Sequence, residues 1–497
     1  MTNSQLRVQS QTLWYVLWTA MFLISAGNTL VPRPIFSGNV GLICSALLAL
    51  IAGIQLFRGV GFLQRKEASL SVVLLLVFCI AQLVQFGRAL APPPNVGVDF
   101  SAYYLAAKVV SKTPTLSLYH IPLLADGRMN FGAAPVSAAW DAAALRYHVP
   151  FSVPYIYPPF CAVLMKPLAH LSFDSALVAW NMATTLLVAG AMFLALSLGG
   201  VRIHGKLALM LGVGLFSYYP LFYSLLLGQI GGLVLFLLAW GVWLLSRNRI
   251  WSSALCFALA TLIKLTPVLA IPILIIHRRW KWLLSYVVWT ISLLIFSVWQ
   301  AGWIAHQQFW REVLPSISLG TPIDTNSSIV AFVQELFLGY VSTPLSTPLT
   351  LPLYAGALSR YVALLVYCLM LGRFYLRRRD GDLVRDLVIM VLLGIVISPI
   401  SWPHHYMVGL LPFLYLWCKM PDKGRRMLLA LFIAVATDIV GIVQFSVTNH
   451  IAQLILAAII PCLTIAVAYL ALAPGQEPSA SRSMLEIEAA EIALRAS

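Results

Sequence analysis

The stretch PPPNVGVDFSAYY, residues 92–104, decides how the chain is divided. A long apolar run over residues 69–88 comes directly before it, and the longest segment without a predicted span follows as far as residue 174. Asp99 is therefore expected just past the end of a membrane span. The chain has only 17 acidic residues among 497, so an acidic side chain in this position needs a physical reason.

The composition is that of a membrane protein. Sixty per cent of the residues are hydrophobic, 10% are charged, and the mean hydropathy is +0.88. Soluble domains carry about 25% charged residues, and an apolar run of about 20 residues can cross a bilayer core of about 30 Å. These values predict an all-α polytopic membrane protein. The first run is longer than a signal-peptide core and no small-residue cleavage site follows it, so it is also predicted to be a span.

The net charge of +15 does not indicate a nucleic-acid partner. Lysine and arginine flank the apolar runs, as the positive-inside rule requires. The seven cysteines form no CxxC pair and six of them lie in apolar runs, so neither a disulfide framework nor a zinc site is expected. Their positions are Cys44, Cys79, Cys161, Cys256, Cys368, Cys418 and Cys462.

Hydropathy places about 12 full spans along the chain. The predicted spans are 13–31, 38–57, 69–88, 175–199, 206–226, 229–246, 282–302, 354–373, 384–400, 404–418, 425–445 and 451–472. The basic residues concentrate in alternate connections, around Arg65, Arg202, Arg247, Arg279, Arg378 and Lys423. The other connections contain almost no lysine or arginine. The positive-inside rule therefore assigns the basic connections and both termini to the cytoplasm. The 89–174 loop, the 303–353 loop and the Ser398–Tyr406 turn are then expected outside.

The segment 251–276 tests this assignment, because basic clusters that favour the cytoplasm flank it at both ends. It is too short for two full spans at about 1.5 Å per residue. A pair of half-spans that turn at Ile263-Lys264-Leu265-Thr266-Pro267 resolves the conflict. Pro267 lacks an N–H and disfavours helix at Thr266, so a break is expected here. Lys264 would then point into a cavity or towards the outer interface.

These predictions divide the chain into four parts. Residues 1–88 form N-terminal spans, residues 89–174 an outer loop, residues 175–472 a transmembrane bundle with the outer loop 303–353, and residues 474–497 a cytoplasmic tail.

Within the outer loop, aromatic and apolar residues from Tyr103 to Val110 recur at helical spacing, opposite Lys108 and Lys112. This pattern predicts a helix that lies in the membrane interface. Residues 161–171 are too short to span and are expected to be re-entrant or interfacial. Asp174 is expected to cap the helix that follows.

Four ionisable residues from distant parts of the chain converge at the outer side in this topology: Asp99, Lys264, His404 and His405. Ionisable side chains at membrane depth are costly, which favours a functional site. Each has a structural alternative: a solvated loop acid for Asp99, a snorkelling side chain for Lys264, and the end of a helix for the histidines. A zinc site would need further ligands, and no HExxH spacing occurs, so no protein-bound metal is expected.

Five sequence blocks, in order, give the chain a resemblance to the polytopic glycosyltransferase family 87 of the GT-C superfamily. That family includes polyprenyl-phosphomannose-dependent α-1,2-mannosyltransferases of phosphatidylinositol mannoside synthesis. The blocks are Asp99–Ala107, Tyr155–Pro159, Leu227–Gln229, Ile263–Pro267 followed by Arg278–Trp280, and Ser398–His405. The chain departs from the family where Ile230 follows Gly228-Gln229 in place of Asn, and where Asn326-Ser327-Ser328 replaces Asn-Gln-Ser. The three spans expected before Asp99 also exceed the single one typical of the superfamily.

The resemblance implies a GT-C-type glycosyltransferase fold and an inverting sugar transfer outside the cytoplasm. The donor would be a polyprenyl-phosphate sugar, with mannose the sugar that the family implies, and the acceptor a glycolipid or an envelope glycan. Carried over, Asp99 would be the catalytic acidic residue, with Lys264 and one of His404 and His405 near the donor phosphate. Gln229, in the third block, and Asn326, in the outer loop 303–353, are expected to bind substrate; the structural alternative for Asn326-Ser327-Ser328 is a hydrogen-bonding turn. The implied location is the bacterial inner membrane, with the site facing the periplasm or the exterior.

The residue types suit this chemistry. An inverting transfer needs a base for the acceptor hydroxyl and positive charge near the leaving phosphate. Tyr103, Tyr104 and Tyr157 either stack on sugar rings or anchor the loop at the interface. No cofactor and no obligatory metal are expected, since polyprenyl phosphate can leave without one.

Two other functions compete with this interpretation. Broken helices and buried charge also mark transporters and lipid flippases, but these commonly have internal repeats, and none is detectable between the halves of the chain. A polysaccharide polymerase or ligase acting on pyrophosphate-linked oligosaccharides would favour arginines in the outer loops, where this chain has few.

Overall fold

The computed structural model describes residues 18–22, 50, 75–76, 80, 96–123, 127–129, 136–322, 326–338, 352–378, 381–446 and 449–472. The predicted spans 13–31, 38–57 and 69–88 lie almost entirely outside these residues, as does the tail. Among the described residues the regular structure is helical, with one isolated bridge between Leu123 and Met129 and no strand. The all-α prediction is confirmed.

The described helices from residue 98 onward are numbered in chain order. The first nine are α1 Val98–Lys112, α2 Ala138–Arg146, α3 Pro159–Leu164, α4 Phe173–Gly199, α5 Gly205–Phe216, α6 Tyr219–Leu227, α7 Gly231–Ser246, α8 Ile250–Ile263 and α9 Ile271–Ile276. The others are α10 Trp280–Ala301, α11 Trp303–Gln308, α12 Leu314–Ser318, α13 Ile329–Leu338, α14 Leu353–Arg377, α15 Leu383–Ile397, α16 Leu410–Lys419, α17 Asp422–Thr437, α18 Ile439–Ser446 and α19 His450–Ala471. Short 3-10 helices cover Leu168–His170, Thr266–Ala270 and Pro403–Gly409, and a π-helix covers Phe309–Val313.

Four described helices are long and apolar enough to cross a membrane: Phe173–Gly199, Trp280–Ala301, Tyr354–Arg377 and Ile451–Ala471. They match four of the predicted spans. A fifth prediction, 206–226, corresponds to α5 and α6, which meet at an angle of 56° and form either one broken span or a re-entrant loop. The total of about 12 spans stays a prediction.

Two further predicted spans are wrong as single helices. Residues 404–418 begin as a 3-10 helix, and only Leu410–Lys419 is α-helical. Pro412 has no N–H and its ring crowds the carbonyl four residues earlier, which prevents a regular helix through Val408. Residues 425–445 are broken at Asp438, whose φ of 54° is left-handed and interrupts the helical path.

The predicted break at residues 263–267 is confirmed, whereas the assignment of the two flanking pieces as half-spans stays a prediction. Helix α8 ends at Ile263, Lys264 is extended, and the chain continues through the 3-10 helix Thr266–Ala270 into α9. Pro267 sits in the first turn of that 3-10 helix, where its missing N–H is tolerated.

Helix α1 forms as predicted, but it is not an interfacial helix. Phe100 to Ala107 are all buried, as is Val109, because α1 packs against α3, α6 and the 3-10 helix Leu168–His170. Only its C-terminal end is open, where Lys112 is exposed. A helix so enclosed belongs to the protein core, since neighbouring elements and not lipid cover its apolar residues.

Asp174 does not cap α4, contrary to expectation. The side chain of Ser172 is the cap and accepts a hydrogen bond from the Ser175 amide. Asp174 is exposed in the first helical turn, where its charge still complements the helix dipole.

The start of α1 is tied to the end of α6, which brings two distant segments together. The Gly97 amide donates to the Leu226 carbonyl at 2.7 Å. Helix α4 also binds the end of α6. The Trp180 indole donates to the Gly228 carbonyl at 3.1 Å, and the side-chain amide of Asn181 donates to the Leu225 carbonyl at 3.0 Å. Gly228 ends α6 with a φ of +69°.

Gly228 is the position where this junction tolerates no side chain. A Cβ there would lie 2.5 Å from the Phe100 Cβ and 2.9 Å from a Leu177 methyl group. We expect Gly228→Ala to lower the free energy of unfolding, since overpacking costs about 1–3 kcal/mol in addition to the strain of a positive φ. Thermal unfolding of the purified protein in detergent measures the loss.

Gly200→Ala is the matched control, because Gly200 also ends a helix with φ +81° but a Cβ there meets nothing within 4 Å. The loss of stability in Gly200→Ala therefore measures the cost of the positive φ alone. Equal losses in the two variants would contradict the steric account.

Candidate active site

The carboxamide of Gln229 is the centre of the site. Its Nε2 donates a short hydrogen bond to Oδ2 of Asp99. Its Oε1 accepts from the hydroxyl groups of Tyr103 at 2.9 Å and Tyr157 at 3.3 Å. Gln229 is only 2% exposed. Its side chain therefore fixes the carboxylate and the two tyrosines relative to one another.

The predicted tyrosines divide into two groups. Tyr103 and Tyr157 meet edge to face, with ring centroids 4.8 Å apart, and both contact Gln229. Tyr104 turns away: its hydroxyl donates to the Leu171 carbonyl at 2.7 Å, and its ring packs on Phe173. The structure thus brings Tyr103 and Tyr157 to the site and leaves Tyr104 in the packing between α1 and α4.

Asp99 lies in the first turn of α1 and is partly buried. Burial raises the pKa of its carboxyl group to about 6, against the hydrogen bond from Gln229 and the positive charge of Lys264, which both lower the pKa. A carboxyl group with a pKa near neutrality can accept a proton and later release it. Asp141, an outer acid that serves for comparison, instead accepts a hydrogen bond from the Ser152 hydroxyl.

Lys264 lies at the break between α8 and the next 3-10 helix, close enough for its charge to act on Asp99. It lines a narrow cleft with three other polar residues, Thr266, Ser398 and His405. The other walls are apolar and come largely from α7 and α15, for example Leu238 and Ile395. The cleft therefore combines one cation with an apolar lining.

The two predicted histidines have different surroundings. The His405 Nδ1 lies 3.0 Å from the Ile400 carbonyl oxygen, so this nitrogen donates, and the ring lines the cleft beside Lys264. His404 does not line that cleft. It is 2% exposed, and its ring meets the His405 ring edge-on at 4.5 Å.

The side chain of Asn326 forms hydrogen bonds with backbone groups. Its Nδ2 donates to the carbonyls of Thr321 at 2.9 Å and Pro399 at 3.1 Å, and its Oδ1 accepts from the Ser401 amide at 2.8 Å. It is 5% exposed. The structure therefore places Asn326 where it holds the Ser398–Tyr406 turn, rather than in the group around Asp99.

Nothing in the sequence indicated a role for Trp180, whose indole holds the backbone at Gly228 and Gln229. Its indole donates to the carbonyls of Gly228 at 3.1 Å and Gln229 at 3.3 Å. Trp180 lies inside a predicted span without a motif around it, so no local signal marks it. Among the described residues, no three His, Cys, Asp or Glu side chains are grouped so that they could hold a metal ion.

Residues 155–399 match the model of glycosyltransferase family 87. The chain is 29% identical over 278 residues to the polyprenol-phosphate-mannose-dependent alpha-(1-2)-phosphatidylinositol pentamannoside mannosyltransferase of Mycobacterium tuberculosis, covering 55% of this chain and 61% of that relative. It is 26% identical over 275 residues to the protein of the same name from Mycolicibacterium smegmatis, covering 54% and 61%.

A third relative, also from Mycolicibacterium smegmatis, is a polyprenol-phosphate-mannose-dependent alpha-(1-2)-phosphatidylinositol mannoside mannosyltransferase. It is 26% identical over 321 residues, with 60% of this chain and 69% of the relative covered. The matched family region contains Tyr157, Gln229, Lys264 and Asn326, whereas Asp99 and the two histidines lie on either side of it.

The fold brings those flanking residues to the matched region, and the apolar helices are those of a multi-pass membrane protein. The family model and the three relatives thus show that the chain is similar to glycosyltransferase family 87 over about half of its length.

Proposed function

We propose that this protein transfers mannose from a polyprenyl-phosphate donor to a lipid-linked mannoside acceptor, with inversion at the anomeric carbon, on a GT-C-type scaffold. The observation that carries the proposal is the Asp99 carboxylate. Gln229 holds this carboxylate by a hydrogen bond, and the charge of Lys264 acts on it. Lys264 also lines a cleft whose walls are largely apolar. This arrangement places a proton acceptor beside a site suited to a lipid phosphate.

Asp99 is the base. The acceptor hydroxyl oxygen attacks the anomeric carbon and forms the new glycosidic bond, while its proton passes to Asp99. The bond from the anomeric carbon to the phosphate oxygen breaks, and polyprenyl phosphate leaves with the electron pair. Gln229 keeps Oδ2 of Asp99 in place, which leaves Oδ1 for the acceptor hydroxyl.

Lys264 and His405 bind the donor phosphate. Negative charge on the phosphate grows as the bond breaks, so a nearby ammonium group stabilises the transition state more than the ground state. The apolar walls of the cleft suit the first isoprenoid units next to that phosphate. Asn326 acts indirectly, by holding the turn from which His405 projects.

The chemical identity of both substrates is inferred from the relatives. Their names specify polyprenol-phosphate-mannose and phosphatidylinositol mannosides. The chain spans about three fifths of the length of the first two of these relatives, 61% in each case. We propose the same donor, and a lipid-linked or envelope mannoside as the acceptor.

The site is proposed to face the periplasm or exterior of a bacterial inner membrane. Helix α7 begins two residues after Gln229 and ends beside Arg247, and α16 begins after the histidines and ends at Lys419. The positive-inside rule places the basic ends in the cytoplasm and hence the site outside. The flippase alternative gains no support from the relatives described above, which are all named as transferases.

Asp99→Asn tests the base. The change is nearly isosteric, but an amide does not take up the acceptor proton, and loss of a general base costs about 10²–10⁴ in rate. We expect kcat for transfer from polyprenyl-phosphate-mannose to collapse while donor binding is retained. Asp174→Asn is the control, because this exposed acid lies outside the site. A similar, modest loss in both variants would reduce Asp99 to a general electrostatic role.

The pH profile tests the environment of Asp99. Only the ionised carboxylate accepts a proton, and its pKa is raised to about 6. We expect kcat/KM for the acceptor to fall about tenfold per pH unit below that value. Gln229→Leu removes a hydrogen bond that lowers the pKa of Asp99, so its midpoint should move upward. A wild-type midpoint near 4, as for a solvated acid, would contradict the proposal.

Lys264→Met tests the phosphate contact. Methionine keeps much of the side-chain length but removes the charge, and a hydrogen bond to a charged group contributes about 1.5–3 kcal/mol. We expect affinity for polyprenyl phosphate to fall roughly 10- to 100-fold, measured by titration of each purified variant at the same pH. Lys112→Met is the control, since Lys112 is exposed at the far end of α1. Unchanged affinity in Lys264→Met would exclude this role.

A further inference from the structure

A row of aromatic rings leads away from the donor cleft on the side of His404. Tyr219 and Tyr223 lie one turn apart on α6, with ring centroids 5.5 Å apart and planes inclined by 22°. Tyr223 lies 5.9 Å from the His404 ring, and His404 lies 5.7 Å from Trp402. Tyr219, Tyr223 and Trp402 are partly buried, so each ring keeps some accessible surface. We call these three rings with His404 the aromatic platform.

His404 is the polar centre of the platform. It is 2% exposed, and neither Nδ1 nor Nε2 makes a hydrogen bond within the described part of the chain. Buried polar atoms in folded proteins nearly always have a partner, because leaving one unpaired is unfavourable. Its neighbours are ring faces and edges, which supply apolar contact but no such partner. An imidazole in this setting suits a ligand that carries a hydroxyl group.

The platform adjoins both parts of the reaction site. His404 touches His405, which lines the donor cleft with Lys264. A Cβ at Gly231 would lie 3.6 Å from the His404 carbonyl oxygen, so His404 also packs against the start of α7, two residues after Gln229. The platform therefore begins where the phosphate site ends, beside the residue that holds the base. An acceptor bound on the platform would lie next to both the phosphate site and the start of α7.

We propose that the aromatic platform binds the sugar ring of the acceptor, with its rings against the C–H faces of a pyranose and His404 hydrogen-bonded to a hydroxyl group. This inference rests on the proposed function. It divides the neighbouring histidines between the substrates: His405 serves the donor phosphate and His404 the acceptor sugar. The platform holds no lysine or arginine, so a neutral sugar ring fits it better than a phosphate does.

The test compares the two substrates separately in purified protein. KM is measured for a phosphatidylinositol mannoside at saturating polyprenyl-phosphate-mannose, and then for the donor at saturating acceptor. Tyr223→Ala removes a stacking ring, Tyr223→Phe keeps the ring, and His404→Phe keeps a ring but removes both nitrogens. Trp240→Ala is the control, because Trp240 is a 41% exposed aromatic residue on α7 outside the platform. Thermal unfolding checks that each variant is folded.

We expect the acceptor KM to rise about 3- to 10-fold in Tyr223→Ala and about tenfold in His404→Phe. Tyr223→Phe should recover most of the acceptor affinity lost in Tyr223→Ala, Trp240→Ala should match the wild type, and the donor KM should not change in any variant. A higher donor KM in His404→Phe would assign this histidine to the phosphate and overturn the proposal. An unchanged acceptor KM in both folded variants would overturn it as well.

A binding measurement separates the platform from the proposed transfer. Titration of butyl α-mannoside into Asp99→Asn protein needs no turnover. Weaker binding after adding Tyr223→Ala or His404→Phe supports the platform even if the wild-type protein transfers no mannose, in which case the proposed function alone fails. Transfer by the wild type, with mannoside binding equal in all variants, overturns the platform alone.

Discussion

The hydrogen bond between Gln229 and Asp99 is the interaction on which the arrangement of the site depends. An ionised carboxylate only accepts hydrogen bonds, so the amide nitrogen of Gln229 must face Asp99. The amide oxygen then faces Tyr103 and Tyr157, whose hydroxyls donate to it. One carboxamide thus sets the orientation of three side chains from α1 and the loop before α3. The Leu226 carbonyl and the Trp180 indole hold the backbone on which that carboxamide sits.

The irregular segments of the bundle collect around this group. The break at Lys264 and the Ser398–Tyr406 turn both contribute to the cleft. Backbone that leaves the helical path at membrane depth needs other partners for its polar groups. Here protein supplies several of them: the Tyr218 hydroxyl donates to the Tyr406 carbonyl at 2.6 Å, and Asn326 binds the turn at Pro399 and Ser401. The same non-helical backbone that needs this support also brings Lys264 and His405 to the cleft.

The sequence predictions were correct where local interactions determine the structure and wrong where contacts between distant residues determine it. The break at Lys264 was predictable because Pro267 and the flanking basic clusters act locally. The long apolar helices were predictable because composition alone selects them. The single helix over 404–418 was wrong because Pro412 and the tertiary contacts of the turn prevail over hydropathy. The interfacial placement of α1 was wrong because its periodicity shows an apolar face but not whether lipid or protein covers it.

The sequence by itself determined the all-α class, the helix that carries Asp99, the break that presents Lys264 and the resemblance to family 87. Only the tertiary structure decided which of these residues meet. Gln229 binds residues 126 and 130 positions away in the chain, and such pairs result from helix packing rather than from local patterns. Likewise, the sequence shows two adjacent histidines, His404 and His405, and does not distinguish their surroundings. The 3-10 helix points the two side chains in different directions, so one ring enters the cleft with Lys264 and the other is enclosed by Tyr223 and Trp402.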